Sequence, residues 1–165
     1  MPAKRRRSVY TSRHDVDVIA ERALKKIRPD RSRIMKERGR VEKLLLKLRS
    51  IVPPEIEVVL AGSAAKGTEL RGNMEFDVFL LFPKSYRLKD LEVLGLAWAK
   101  RAVKPNKWHV GYAEHPYLNA QIGGVHVDIV PSFKISSAEE MESSVDRSQL
   151  HTQYVLSNMK PEQKD

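Results

Sequence analysis

The run Val58-Val59-Leu60-Ala61-Gly62-Ser63-Ala64-Ala65-Lys66-Gly67-Thr68-Glu69-Leu70-Arg71-Gly72-Asn73-Met74-Glu75-Phe76-Asp77-Val78-Phe79-Leu80-Leu81-Phe82 decides how the chain is read. Residues 56–61 are short, β-branched and apolar, which predicts a strand. Gly62-Ser63 closes it and opens a short helix, with Ser63 expected as its cap. Residues 76–82 are nearly all apolar, as a central strand would be, and Pro83 stops them. Glu75 and Asp77 stand two apart, so they leave one face of that strand, while Phe76, Val78 and Leu80 take the other. Neighbouring carboxylates repel unless a cation lies between them. Mg²⁺ typically takes one or two protein carboxylates together with phosphate oxygens and water. The same pair read alone is also what a solvent-facing strand position would show. The loop between the strands has a matching ambiguity. Gly62 lets backbone amides approach phosphate oxygens, Ser63 supplies a hydroxyl, and Lys66 adds a cation one turn on. Most Gly-Ser junctions after a strand are nevertheless simple caps.

Moving outward, a third carboxylate joins the two. Gly123-Gly124 is a two-residue hairpin signal. The returning strand, residues 125–130, turns Val125, Val127 and Ile129 to the core and leaves His126, Asp128 and Val130 opposite. If it lies beside residues 75–82, Glu75, Asp77 and Asp128 converge. Such a trio can hold two Mg²⁺ ions, one activating an attacking hydroxyl and one holding a triphosphate. Residues 88–103 read as an amphipathic helix, and residues 108–113 and 117–122 as strands. Two short helices are expected at residues 137–144 and 147–157. Upstream, helices are expected at residues 15–27 and 31–51, separated by Pro29-Asp30 and ended by Pro53-Pro54. The fold class is therefore α/β (α+β): a mixed sheet of about five strands with helices against one face, after a basic helical segment. The expected organisation is a flexible basic arm at 1–13, one domain at 14–160 and a polar tail at 159–165. Within the domain, 14–52 is helical, 55–131 is the sheet core and 137–158 carries the last helices.

Composition narrows the function. The 165 residues contain no cysteine, which excludes disulfides, zinc–thiolate centres and thiol nucleophiles. No apolar run approaches the roughly 20 residues of a membrane helix, and the basic start lacks the apolar core of a secretory signal. A cytoplasmic protein without membrane contact is the expectation. Residues 1–50 carry 17 Lys and Arg against 6 Asp and Glu, a net of +11, whereas the remainder is at −2. A polyanion would be held by that third through counterion release. The blander reading is a solvated helix pair with a basic tail. Lys4, Arg5, Arg6 and Arg7, with Arg71 in the loop before the carboxylates, are the candidate RNA contacts. Trp98 reads as core. Trp108, Tyr112 and Tyr117 read first as core and second as base-stacking rings. His109, His115 and His126 read as structural or surface residues.

The full pattern resembles the polymerase-β-type nucleotidyltransferase superfamily: Gly-Ser, a short helix, then two carboxylates separated by one residue. With Thr68, Leu70 and Gly72, and with Tyr112-Ala113-Glu114-His115-Pro116-Tyr117, Val127-Asp128-Ile129-Val130-Pro131, Val145-Asp146-Arg147-Ser148 and His151 in order, it closely resembles class I (archaeal) CCA-adding enzymes, the tRNA nucleotidyltransferases. The resemblance spans roughly residues 15–160. It implies that Glu75, Asp77 and Asp128 are catalytic and bind metal, and that Gly62 and Ser63 contact phosphate. It implies that Lys66 replaces a common arginine near the triphosphate, keeping its charge and losing its bidentate fork. Ser148 keeps the hydroxyl of a common threonine, and His151 points toward the phosphates. The implied partners are CTP, ATP and the 3′ end of RNA, tRNA above all. The family continues well past this length, so the resemblance implies that further C-terminal domains, or a second chain, complete the nucleotide pocket and grip the tRNA. Two other readings stay open: a minimal nucleotidyltransferase with a different acceptor, and a non-catalytic RNA-binding or assembly module that keeps the fold.

Overall fold

The computed structural model describes residues 13–72 and 74–159, with side chains from residue 15 onward. Lys4, Arg5, Arg6 and Arg7, and the tail after Met159, lie outside the described residues. Two helices open the described residues, α1 (Arg13–Ile27) and α2 (Arg31–Arg49). Asp30 starts α2: its carboxylate accepts from the Ser32 and Arg33 amides at 2.9 and 3.2 Å, satisfying donors that the first turn leaves open. Val41, Leu44, Leu45 and Leu48 form the buried stripe of α2.

Five strands follow: β1 (Glu57–Ala61), β2 (Glu75–Phe82), β3 (Lys107–Tyr112), β4 (Pro116–Ile122) and β5 (Val125–Phe133). They pair in the order β1-β2-β5-β4-β3, with β2 and β5 parallel and every other pair antiparallel. The expected mixed sheet is therefore present. Its central strands are fixed in register by burial. Phe76, Val78, Leu80, Val127 and Ile129 are all fully buried on one face. Each contributes about 1.5–3 kcal/mol on leaving water. A slip of one residue would drive Glu75, Asp77 and Asp128 into that core, so the carboxylates cannot face any other way. The Gly123-Gly124 turn has positive φ at both residues, 57° and 88°, which glycine alone adopts cheaply and which matches the sheet twist.

Between β2 and β3 the helical run 88–103 is interrupted. It consists of α4 (Leu88–Asp90), a π-helical stretch (Leu91–Gly95) and α5 (Leu96–Val103). α2 and α5 cover the apolar face together, and Trp98 stacks on Phe82 at 5.6 Å between ring centres. Helices also occupy the other face, contrary to the expectation of one. The short α3 (Gly62–Lys66) and the final α6 (Arg147–Asn158) touch each other, and Val145 just before α6 caps a small cluster of Val59, Ala61, Phe79, Leu81 and Val130. These are the apolar positions on the carboxylate face of β1, β2 and β5, and they need a cover.

Three local expectations are corrected. Ser63 does not cap α3: Ala61 holds the cap position without a side-chain bond, and Ser63 is the second helical residue. Residues 137–144 form no α-helix, only a 3₁₀ turn at Ala138–Glu140. Trp108 and Tyr112 are 40% and 78% exposed, not core, because β3 is an edge strand with little packed on it. Among the described residues no helix is long and apolar enough to cross a membrane.

Candidate active site

The sheet register builds the site. Asp77 lies directly beside Asp128 on parallel neighbours β2 and β5, and Glu75 stands two residues earlier beside His126. Paired residues share a face, so all three carboxylates leave the sheet together. Asp77 is half-buried, and its carboxyl is pushed above the ordinary carboxylate range. Burial is the main cause, followed by the charges of Asp128 and Glu75, with Lys66 acting against them. Asp128 is pushed upward as well, chiefly by burial. Asn119, whose Nδ2 donates to Asp128 Oδ1 at 2.6 Å, opposes that shift. His109 and His126 also oppose it. The same transverse row thus reads His109, Asn119, Asp128, Asp77 across four strands.

Gly62 sits against this row. Its φ is +65°, and a Cβ built there would stand 1.9 Å from Asp77 Oδ2. Only a residue without a side chain lets the backbone of α3 lie on that carboxylate. From there a cleft of about 510 Å³ opens, lined by Gly62, Lys66 and Asp77 below and by Ser144, Arg147, Ser148, His151 and Thr152 above. Residues 147, 148, 151 and 152 lie on one face of α6, so a single helix delivers them all. One carboxylate, Asp77, thus shares the cleft lining with two cations, Lys66 and Arg147.

A buried polar network aims α6. Asp146 is 1% exposed. Its carboxylate accepts from Ser132 Oγ at 2.7 Å and from the amides of Phe133, Glu142 and Ser143 at 3.0, 3.0 and 3.1 Å. Gln149 adds a bond from Nε2 to the Phe133 carbonyl at 2.6 Å. Removing Asp146 would orphan several buried donors, each costing about 1–3 kcal/mol. Asp146→Ala is expected to lower unfolding free energy by about 3 kcal/mol in a urea titration and to loosen the cleft rim. Asp146→Asn, which keeps one acceptor oxygen, is expected to recover part of that loss.

Ser63, the second residue of α3, lies outside the cleft lining. Arg71 is exposed and tied to the first helix, its amide donating to the Ile27 carbonyl at 2.7 Å and its Nε to the Arg28 carbonyl at 2.9 Å. Three residues given no role from sequence belong to the site: Arg147 on the rim, Asp146 beneath it, and Asn119 on Asp128. Helical spacing from Ser148 and His151 points to Arg147. Counting back across the Gly123-Gly124 turn puts residue 119 opposite residue 128.

The donor set bears on a metal. Among the described residues no group of three or more His, Cys, Asp or Glu closes on a common point. The three carboxylates repel one another, and Asn119 holds one of them. The set is nevertheless all oxygen and on one face, and the surroundings of Asp77 and Asp128 disfavour their charged forms. That is the environment a hard divalent cation relieves, so the residues present fit one.

The sequence profile of the nucleotidyltransferase domain family matches residues 41–151, from α2 through the cleft face of α6. The chain belongs to the nucleotidyltransferase domain family. Members of this family generally use divalent metal ions. The chain is 34% identical over 150 residues to the CCA-adding enzyme of Methanocaldococcus jannaschii, covering 87% of this chain and 33% of that enzyme. It is 35% identical over 145 residues to the CCA-adding enzyme of Archaeoglobus fulgidus, covering 88% and 32%. The chain thus spans about a third of the length of the curated relatives it matches. The Cid1 poly(U) polymerase, in a mutant form bound to MgATP, shares the fold with a TM-score of 0.61 at 14% identity, covering 86% of this chain and 43% of that one.

Proposed function

We propose that the chain is the catalytic head of an RNA nucleotidyltransferase that adds CMP and AMP from CTP and ATP to an RNA 3′ end, most directly the CCA terminus of tRNA. The observation that carries this reading is the register of Asp77 against Asp128, which gathers Glu75 and Asp128 on one sheet face beside Asp77, the carboxylate that lines a cleft also bearing Lys66 and Arg147. In the reaction the acceptor 3′-oxygen attacks the α-phosphorus in line. A new P–O bond forms, the bond to the bridging oxygen of the β-phosphate breaks, pyrophosphate leaves, and the hydroxyl proton passes to water. Glu75, Asp77 and Asp128 would hold two Mg²⁺ ions, which when bound lower the pKa of the attacking hydroxyl and offset charge on the leaving group.

The other residues bind and orient. Lys66, Arg147 and His151 face the triphosphate, with the Ser148 hydroxyl and the Gly62-Ser63 backbone as neutral donors. Asn119 steers Asp128 by holding one of its oxygens. The 34–35% identity to CCA-adding enzymes supports tRNA as the acceptor and a cytoplasmic setting. Sequence beyond these residues, or a partner, would complete base selection.

The test is nucleotide addition to a tRNA transcript lacking its 3′ CCA, with labelled CTP or ATP and Mg²⁺. Products extended by C, C and then A support CCA addition. Extension of the transcript by other sequences, or only of unrelated RNAs, would move the chain to a different acceptor. Stable nucleotide binding without turnover in the presence of every acceptor would oppose a self-sufficient catalytic head.

A further inference from the structure

A second charged feature lies across the sheet from the carboxylates. Along α2, Lys36, Arg40, Lys43 and Lys47 recur at intervals of four, three and four residues. That spacing forms one stripe about 16 Å long, at 1.5 Å per residue. It runs beside the buried stripe that packs α2 on the apolar face of the sheet. Lys47 Nζ donates to the Lys104 carbonyl at 3.0 Å, so the stripe meets the turn after α5. Arg40 lies against the β4–β5 turn, where a Cβ on Gly123 would be 3.0 Å from its Nε. The open groove of about 200 Å³ between them is lined by Arg40, Lys43, Lys47 and Lys104, and by no acidic residue. The two glutamates of α2 are engaged elsewhere, Glu37 with Arg33 at 2.7 Å and Glu42 with Arg49 at 3.8 Å. Lys100 extends the positive edge, its Nζ 5.1 Å above the ring of the part-exposed Trp108.

We propose that this groove holds the phosphate backbone of the RNA acceptor at a distance from the reacting end, as a second grip on the acceptor's body. The inference rests on the reading above only in taking the acceptor to be RNA. Four cations in one groove repel each other, and a polyanion relieves that repulsion while releasing its own counterions. An RNA fits better than a protein partner. Of the apolar lining, Leu44 and Ala102 are covered, at 4% and 3% exposure, and Ile122 is part-buried against the core, so little aliphatic surface is offered beside the four cations. The Trp108 ring with a cation above it is a stacking surface for an unpaired base. Because the sheet stands between groove and carboxylates, RNA in the groove cannot be the end that reacts. Its loss changes acceptor affinity and leaves the chemistry alone.

The experiment uses the full chain and the tRNA transcript lacking CCA. The groove variant Lys43→Gln/Lys47→Gln/Lys104→Gln is compared with Lys84→Gln/Lys89→Gln/Lys134→Gln. The second set removes equal charge from exposed positions, Lys84 and Lys134 just after β2 and β5 and Lys89 in α4. Lys43→Glu alone serves as a further groove variant that leaves the Lys47–Lys104 bond intact. Binding is measured across salt concentrations, and CMP addition is measured on a short single-stranded acceptor. The groove variant is expected to bind the transcript about tenfold more weakly at low salt, with a log–log salt slope shallower by about two to three, close to one per lysine removed. Lys43→Glu should shift the same way, the control set should stay within about twofold, and short-acceptor addition should be unchanged. Equal loss in both triple variants would assign the effect to net charge and overturn the proposal, as would unchanged transcript affinity in the groove variants. Binding that behaves as expected in a chain that adds no nucleotide would sustain this inference while removing the catalytic reading.

Discussion

Asp77→Asn is expected to abolish nucleotide addition and leave the chain folded. The carboxylate is half-buried between two others, with its charged form disfavoured by burial and by Asp128 and Glu75. A protein keeps such a charge when something positive must sit there. Replacing it with the isosteric amide removes one negative ligand from the cation site and one orienting contact from the triphosphate. Loss of several kcal/mol of transition-state stabilisation corresponds to a fall of about 10³-fold or more in turnover. Stability moves the other way. The amide carries no charge into the half-buried position, so the melting temperature without metal is expected to hold or rise. Labelled-nucleotide incorporation and a thermal melt on the same preparation check both halves. A variant that keeps more than a tenth of wild-type turnover would contradict the role given to Asp77.

Gly62→Ala is the second large expected effect, and its cause is steric. At φ +65° a side chain meets its own backbone, costing about 1–2 kcal/mol. Its Cβ would also overlap Asp77 Oδ2, since the built position is only 1.9 Å away. Either the carboxylate swings out of the row it shares with Asp128, or α3 lifts from β2. Both displace the cleft floor, so turnover should fall about 100-fold with a drop of several degrees in melting temperature. Gly39→Ala provides the contrast. That glycine is mid-helix in α2 with nothing within 4 Å of an added Cβ. Alanine there should gain up to about 1 kcal/mol from helix propensity and leave activity untouched. A Gly62→Ala enzyme as active as Gly39→Ala would refute the close approach.

Much of this was legible in the residues because two physical signals agree. Alternation in residues 75–82 and 125–130 separates carboxylates from core, and a wrong register would bury charge; the strands and their facing followed from that alone. The Gly123-Gly124 turn likewise could take few conformations. Legibility ended where the outcome depends on what packs from elsewhere. Trp108 and Tyr112 have strand-core chemistry, yet their exposure follows from β3 lying at the edge, which is a property of sheet order. Asp146 looks like an ordinary helix-start residue. Its role comes from Ser132 and Phe133, which are distant in sequence. Ser63 has the right chemistry for a cap, but Gly62 turns the chain one residue earlier. The basic stripe of α2 was visible only as net charge until its partner surface at Lys104 and the β4–β5 turn was in place.

A metal-bound nucleoside triphosphate is expected to occupy the Asp77 cleft. The most direct measurement is calorimetric titration of CTP and of ATP into the chain, with Mg²⁺ and then with excess EDTA, for wild type and Asp77→Asn. One triphosphate is expected to bind per chain in Mg²⁺, with affinity at least about tenfold weaker in EDTA and in the variant. Equal affinity in all four conditions would mean that the triphosphate binds away from the carboxylates, and the assignment of this cleft would be wrong.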